Sequence, residues 1–334
     1  MPIILAIESS CDETSAAVIA DGRVKVNLIS SQLEHSEYGG VIPELASRLH
    51  QQQIIRVIRQ AMKDAAISNS DLDAIAFTRG PGLLGALLVG TCFAKSLAYG
   101  LNLPLIAVNH MQAHVLANFI SDTPPQFPFL CLTVSGGHTQ LVLVNSPLDM
   151  EVIGNTIDDA AGEAFDKAAK IMGLPYPGGP LIDKYAQSGD SSAFSFPKPG
   201  IGRYEFSFSG LKTAILYLIR DRLKDNPGFI SQNLPDLCAS YQHTIVSVLL
   251  DKLRLAAQDL GVKHLAIAGG VSANSELRRR FGEMCRREGW KAHIPAFEYC
   301  TDNAAMIGMA AHFKFLAGEF TDLTAVPFTR EGKE

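Results

Sequence analysis

The chain has 334 residues, 47% of them apolar and 19% charged; this is enough for two lobes of roughly 150 residues and too apolar for a long disordered tail. Acidic residues outnumber basic ones by 34 to 29, a formal charge of −5, which argues against a protein that coats nucleic acid unaided. Six cysteines without a CxxC pair exclude a disulfide framework and fit free thiols in a reducing compartment.

Met1 and Pro2 pass directly into Ile3-Ile-Leu-Ala-Ile-Glu8, with no basic n-region and no small-residue cleavage site, so a cytoplasmic location is expected. The longest apolar runs, 83–89 and 127–134, fall far short of the roughly 20 residues that span a bilayer, and no membrane span is expected. The first strand ends in the polar tip Ser9-Ser10-Cys11-Asp12-Glu13-Thr14 and returns through 15–20 to an Asp21-Gly22 turn. Helical periodicity follows over 43–65 and 84–100, then a strand over 105–108.

Next comes His110-Met-Gln-Ala-His114. If the segment is helical from Met111, the two imidazoles lie one turn apart on one face, a metal-chelating spacing that packing or capping would explain equally well. No glutamate stands between them, which removes the general base a zinc peptidase needs.

A second hairpin repeats the first pattern: strand 129–134, the tip Ser135-Gly136-Gly137-His138-Thr139, and a return over 140–144. Its tip could face a phosphate with backbone N–H groups. Asp158, Asp159, Glu163 and Asp166 crowd the start of a helix over 161–173; the first two read as macrodipole and capping residues, and Asp166 as a group facing polar substrate. Tyr176-Pro-Gly-Gly-Pro180 reads equally as a rigid turn whose Gly179 admits a ligand or as a plain loop. A helix over 238–261 leads to strand 264–268, the turn Gly269-Gly270-Val271-Ser272-Ala273-Asn274, and a helix from about Glu276.

That last helix carries Arg278, Arg279, Arg280, Arg286 and Arg287, with Lys291 beyond it, either a solvated face or a surface for RNA phosphates. Asp302 precedes a helix over 304–316, as its N-cap or as a third metal ligand. None of the turns is a Walker P-loop or a full GxGxxG fingerprint.

A duplicated hairpin core with intervening helices and a late glycine turn points to the actin-like ATPase superfold. The expected organisation is an N-terminal lobe over 1–125, joined by 303–334, and a C-terminal lobe over 126–302 carrying most of a nucleotide site, with a cleft between them.

Nine segments stand in one order along the chain: Glu8-Ser-Ser-Cys-Asp-Glu-Thr14, Pro43-Glu-Leu-Ala-Ser-Arg48, Gly80-Pro-Gly-Leu83, Ser135-Gly-Gly-His-Thr139, Gly162-Glu-Ala-Phe-Asp-Lys167, Tyr176-Pro-Gly-Gly-Pro180, Phe206-Ser-Phe-Ser-Gly-Leu-Lys212, Gly269-Gly-Val-Ser-Ala-Asn274 and Thr301-Asp-Asn303. Together they resemble the tRNA threonylcarbamoyladenosine transferase family, the TsaD (Gcp, YgjD) proteins, formerly called O-sialoglycoprotein endopeptidases. The resemblance implies an α/β protein of the actin-like ATPase (ASKHA) superfold, with duplicated ribonuclease H-like cores.

It implies one divalent metal ion per subunit on His110, His114 and Asp302, iron(II) in preference to zinc. It assigns Thr133, Val134, Ser135, Gly136, Gly137, Asp166, Gly179, Asp183 and Asn274 to nucleotide and substrate. Two features depart from the pattern: Gln112 and Ala113 between the histidines, and the ending Val326-Pro-Phe-Thr-Arg330.

The implied reaction moves a threonylcarbamoyl group from threonylcarbamoyl-AMP to the exocyclic amine of the adenosine beside the anticodon, in tRNAs reading codons that begin with A. ATP or ADP would fit the same cleft. Asp12, Glu13 and His138 are candidates for the proton acceptor. The implied partners are tRNA, an inactive TsaB-like paralogue that dimerises with the chain, and a TsaE-like small ATPase. The competing readings are an ATP-dependent small-molecule kinase of the same superfold and a non-catalytic scaffold.

Overall fold

Strand β1 (Ile3–Glu8) is buried from Ile4 onward because it lies at the centre of a sheet covered on both faces. It pairs antiparallel with β2 (Glu13–Ala20), which pairs antiparallel with β3 (Arg23–Ser31). On its other side β1 pairs parallel with β4 (Ala74–Gly80), and β4 with β5 (Leu105–Asn109), giving the order β3-β2-β1-β4-β5. In this computed structural model, residues 2–330 are described.

Side-chain alternation along β1 sorts the helices. Leu5 and Ile7 pack with Ile54, Val57 and Ile58 of helix α1 (Pro43–Asp64). Ala6 points the other way, to Gly308 of the helix over Ala304–Leu316, which also meets Ile19 of β2. Helix α2 (Leu84–Leu101) packs on α1 and β4 through Ala86, Leu87, Ala94 and Ala98. With a mean hydropathy of 1.4 it is the one helix among the described residues long and apolar enough to cross a membrane by length and composition, which the short apolar runs of the sequence did not anticipate. Its Lys95 interrupts the apolar run, and the ammonium donates to the Ala325 carbonyl at 2.5 Å.

A second sheet repeats the pattern. Strands β6 (Phe129–Val134), β7 (Thr139–Ser146) and β8 (Asp149–Asn155) form an antiparallel meander, and β9 (His264–Ala268) and β10 (Lys291–His293) add in parallel on the other side of β6. The order β10-β9-β6-β7-β8 is the first sheet's order in the same connectivity. Leu130, Leu132, Val134, Leu265 and Ile267 share a core with Tyr241, Ile245 and Leu249.

Between the two sheets in chain order stands the short helix α3 (His110–Leu116). The helices of the second half are α4 (Ala161–Ile171), α5 (Gly178–Ala186), α6 (Ser209–Asp225), α7 (Phe229–Leu260) and α8 (Ser275–Glu288); the helix over Ala304–Leu316 is α9. Helix α7 begins well before the expected Cys238 and contains Pro235 near its start. A proline inside a helix removes one backbone hydrogen bond and argues for a boundary; here Leu237 and the apolar residues after it, packed in the core, keep the helix continuous. The expected turn at 176–180 is shorter than read, since Gly178 already opens α5.

Two compact units result: Met1–Pro124 with Pro295–Glu334, and Pro125–Ile294. The chain re-enters the first unit at Pro295, ahead of the expected 303, once β10 has closed the edge of the second sheet. Asp302 therefore belongs with the histidines of α3 and not with the second unit. The ending runs along the first sheet, where the Arg79 guanidinium donates to the Val326 carbonyl at 3.0 Å and the Phe328 amide to the Arg79 carbonyl at 3.1 Å.

Candidate functional site

In the first unit β5 ends at Asn109, whose side chain accepts from the Met111 and Gln112 amides at 2.8 and 3.1 Å. That cap starts α3 with His110 as its first residue, so His110 and His114 share a face as their spacing predicts. Both are buried, and their rings meet edge to face with centroids 4.7 Å apart. Asp302 reaches them from the segment before α9: its Oδ1 is 3.3 Å from His110 Nε2 and 3.1 Å from His114 Nε2. Asp302 does not cap α9; that role falls to Asn303, whose side chain accepts from the Met306 amide.

The three donors lie within 4.8 Å of one another, and two imidazole nitrogens with one carboxylate oxygen are a set that suits a divalent transition metal. The electrostatics show how tightly they are coupled. Burial opposes charge on His110, but the Asp302 and Glu8 carboxylates outweigh it and hold its pKa well above the usual imidazole range. Burial keeps His114 low despite Asp302, while His110 and His114 hold Asp302 far below the usual carboxylate range against the cost of burial.

Glu8 is a site residue that the sequence reading passed over. It is fully buried at the end of β1; its Oε1 accepts from the Ser10 amide at 2.5 Å, and its Oε2 accepts from Thr78 Oγ1 at 2.5 Å and faces His110 Nδ1 at 3.3 Å. A carboxylate closing an otherwise apolar strand was the signal, because a buried charge needs partners. Asp12 and Glu13 follow in the same polar tip, which His50 of α1 holds by hydrogen bonds to the Cys11 carbonyl (3.0 Å) and Thr14 Oγ1 (2.7 Å). Burial, with Asp302 and Asp12 nearby, pushes the Glu13 carboxyl well up.

In the second unit the tip after β6 folds on itself. The Ser135 amide donates to the His138 carbonyl at 2.8 Å and the His138 amide to Ser135 Oγ at 3.1 Å. Ser135 N–H is therefore spent in the turn, while Gly136 and Gly137 are exposed. Thr133 and Val134 are fully buried and present no side chain to a ligand. The start of α4 is pressed against the tip: a Cβ at Gly162 would lie 2.5 Å from the Ser135 carbonyl and 2.9 Å from the Gly136 amide nitrogen, so only glycine permits this approach. Exposed glycine amides beside a helix N-terminus make a place for an anion. Gly269, with φ 84°, backs the same strand, since a Cβ there would meet the Val134 carbonyl at 2.5 Å.

Three residues assigned to ligand binding are engaged inside the protein. Asp166 Oδ1 accepts from the Gly178 and Gly179 amides at 2.8 and 3.1 Å and so caps α5; burial raises its pKa even so. Asp183 accepts from the Ser275 amide and hydroxyl at 3.0 and 2.7 Å, tying α5 to α8. Asn274 caps α8 through the Leu277 amide at 2.9 Å and donates to Gln242 Oε1 at 2.8 Å. These are the struts of the wall on which the glycine tip is built.

Asp158 does not serve α4 as expected: it accepts from the Phe208 and Ser209 amides at 2.7 and 3.3 Å, capping α6, and Asp159 pairs with Lys167 at 2.7 Å. The basic cluster on α8 is largely used internally: Arg279 bridges Glu276 and Glu283, each at 2.8 Å, and Arg280 donates to Ser247 Oγ at 3.0 Å.

The model of the family described as "TsaD: tRNA N6-adenosine threonylcarbamoyltransferase" matches residues 23–309. Proteins carrying that name in Riemerella anatipestifer and Christiangramia forsetii are 59% and 58% identical to the chain, over 98% of its length and 97% of theirs. The chain belongs to the TsaD family.

It is accordingly a transferase, and the peptidase reading has no place in it. Two solved structures place the chain in a wider fold. Full-length HypF, in a phosphate- and nucleotide-bound form, aligns with a TM-score of 0.62 at 15% identity, over 94% of this chain and 46% of HypF. The (R)-2-hydroxyglutaryl-CoA dehydratase component A of Acidaminococcus fermentans gives 0.52 at 13% identity, over 94% and 99%. Such distant likenesses concern the fold alone, and it is the actin-like ATPase superfold that the repeated sheets anticipate.

Proposed function

We propose that the chain moves the threonylcarbamoyl group of threonylcarbamoyl-AMP onto the exocyclic amine of the adenosine beside the anticodon, in tRNAs reading codons that begin with A, and releases AMP. The observation that carries this reading is the full-length TsaD match together with the convergence of His110, His114 and Asp302. The amine is a weak nucleophile, because its lone pair is delocalised into the purine, so catalysis has to act mainly on the donor.

His110, His114 and Asp302 would hold one divalent ion, a donor set common to non-haem iron and catalytic zinc sites, with iron(II) before zinc as the family resemblance implies. When bound, the ion supplies Lewis acidity that polarises an oxygen of the donor. The amides of Gly136 and Gly137, with the N-terminus of α4 behind them, receive the phosphoryl charge of the nucleotide and stabilise departing AMP. ATP or ADP would take the same amides. Asp166, Gly179, Asp183 and Asn274 keep that wall fixed, which limits the freedom of bound donor and acceptor. Asp12, Glu13 and His138 remain the residues that would take the amine's proton.

The negative net charge and the internal pairing of the α8 arginines support a partner-assisted hold on tRNA. A TsaB-like paralogue and a TsaE-like ATPase are the proposed partners, in the cytoplasm and away from any membrane, and the isolated chain is expected to be slow. The test is transfer of labelled threonine from threonylcarbamoyl-AMP to tRNA with these partners present, with and without chelator. Label in A-codon tRNA that disappears on chelation is the expected result; ATP consumption with a phosphorylated metabolite would replace it by the kinase reading, and no label at all by the scaffold reading.

A further inference from the structure

We propose that Glu8 is the positioning residue of the metal centre, fixing the tautomer and orientation of His110 from the end of β1; the inference rests on the metal reading of His110, His114 and Asp302. The two histidines are held unequally. His110 Nδ1 lies 3.3 Å from Glu8 Oε2 and 3.2 Å from Ser10 Oγ, whereas His114 Nδ1 is buried with no hydrogen-bond partner. Only His110 is gripped on the side away from Asp302.

Glu8 is itself immobilised. The Ser10 amide holds one oxygen and the Thr78 hydroxyl the other, and β1 and β4, which carry Glu8 and Thr78, pair in parallel up to Ile7 and Phe77. An acceptor-only carboxylate opposite Nδ1 holds a proton on Nδ1, so that Nε2, beside Asp302, is the nitrogen that would give up its proton to take an ion. Gln112, which stands between the histidines, is not needed for this; the carboxylate comes from a different strand.

Replacing Glu8 by glutamine makes the test sharp. The Ser10 amide N–H donates and needs an oxygen opposite it, so the new NH2 group falls on the Oε2 side, where Thr78 Oγ1 can accept one proton and the other points at His110 Nδ1. That favours the Nε2–H tautomer, which cannot ligate. Metal affinity of the full chain, measured by chelator competition with Zn(II) and Co(II), should fall roughly 10- to 100-fold in Glu8→Gln, the range found when outer partners of ligating histidines are lost. The Co(II) d–d spectrum should shift with it.

Glu8→Asp, which withdraws the carboxylate by one methylene, should also weaken binding, and it carries the test if the glutamine variant does not fold. A purely structural role would lower the thermal midpoint and leave metal affinity and the Co(II) spectrum of the folded fraction unchanged, and that outcome overturns the inference. Failure of the parent chain to bind either ion would overturn the metal reading beneath it; parent binding equal to that of the folded variant overturns only the role of Glu8.

Discussion

His110 and His114 differ in what supports them, yet both bring Nε2 to the same oxygen of Asp302. Removing either ligand should therefore release the ion. His114→Ala is expected to lose bound metal and to slow transfer by roughly a hundredfold or more, since Lewis-acid stabilisation is worth several kcal/mol and about 1.4 kcal/mol is a factor of ten. Metal analysis alongside the labelled-threonine assay checks it, and full activity without metal would refute the scheme. Asp166 tests the opposite kind of assignment. Because its Oδ1 caps α5, Asp166→Ala should cost about 1–2 kcal/mol in denaturant unfolding. Burial already disfavours its charge, so Asp166→Asn, which keeps an acceptor for the two amides, should cost clearly less. Equal losses would mean that the carboxylate charge matters and the cap does not.

At the scale of elements, the hairpin tip after β6 depends on how closely α4 approaches it. Gly162→Ala places a methyl group 2.5 Å from the Ser135 carbonyl, and the clash must push the helix or the tip aside. AMP binding measured by calorimetry should weaken about tenfold or more, equivalent to about 1.4 kcal/mol; unchanged affinity would remove the tip from the nucleotide site. Asp158 joins the α4 approach to the first turn of α6, so Asp158→Ala should destabilise the chain by about 1–2 kcal/mol through loss of the α6 cap, read by the same denaturant titration. Both elements show how far sequence pattern reaches. The strands, the glycine turns and most helix bounds follow from periodicity and capping residues, whereas Asp158 does not cap α4 as its place before that helix suggests, because the amides it accepts from lie about fifty residues on.

At the scale of the whole molecule, burial lowers the pKa of His50, His243 and His312, the last two also partly exposed. The unfolded chain would bind protons at these sites from about pH 6.5 downward, while the folded chain resists them until its lower values are reached. At these three sites the unfolded state then carries more bound protons across that window, so their contribution to stability falls as pH drops below about 6.5, with at most about 1.4 kcal/mol per pH unit for each proton taken up differentially; His110 and Glu13, whose pKa values the fold raises, act in the opposite sense. Between pH 7.5 and pH 5.5 the thermal midpoint of His50→Asn should therefore respond less unfavourably to acidification than that of the parent chain; identical pH profiles contradict the burial argument for His50.

The family, the duplicated hairpins and the His110–His114 spacing were legible in the sequence, because strand alternation, helical spacing and glycine turns are local properties of the chain. The tertiary structure alone decided what long-range contacts decide: that the chain returns at Pro295 and brings Asp302 to the histidines, that Glu8 stands behind His110, that Asp183 ties α5 to α8, and that Asn274 ties the start of α8 to α7. A side chain's type announces that it needs a partner; which partner it finds depends on strands and helices separated by tens or hundreds of residues, and no local pattern encodes that.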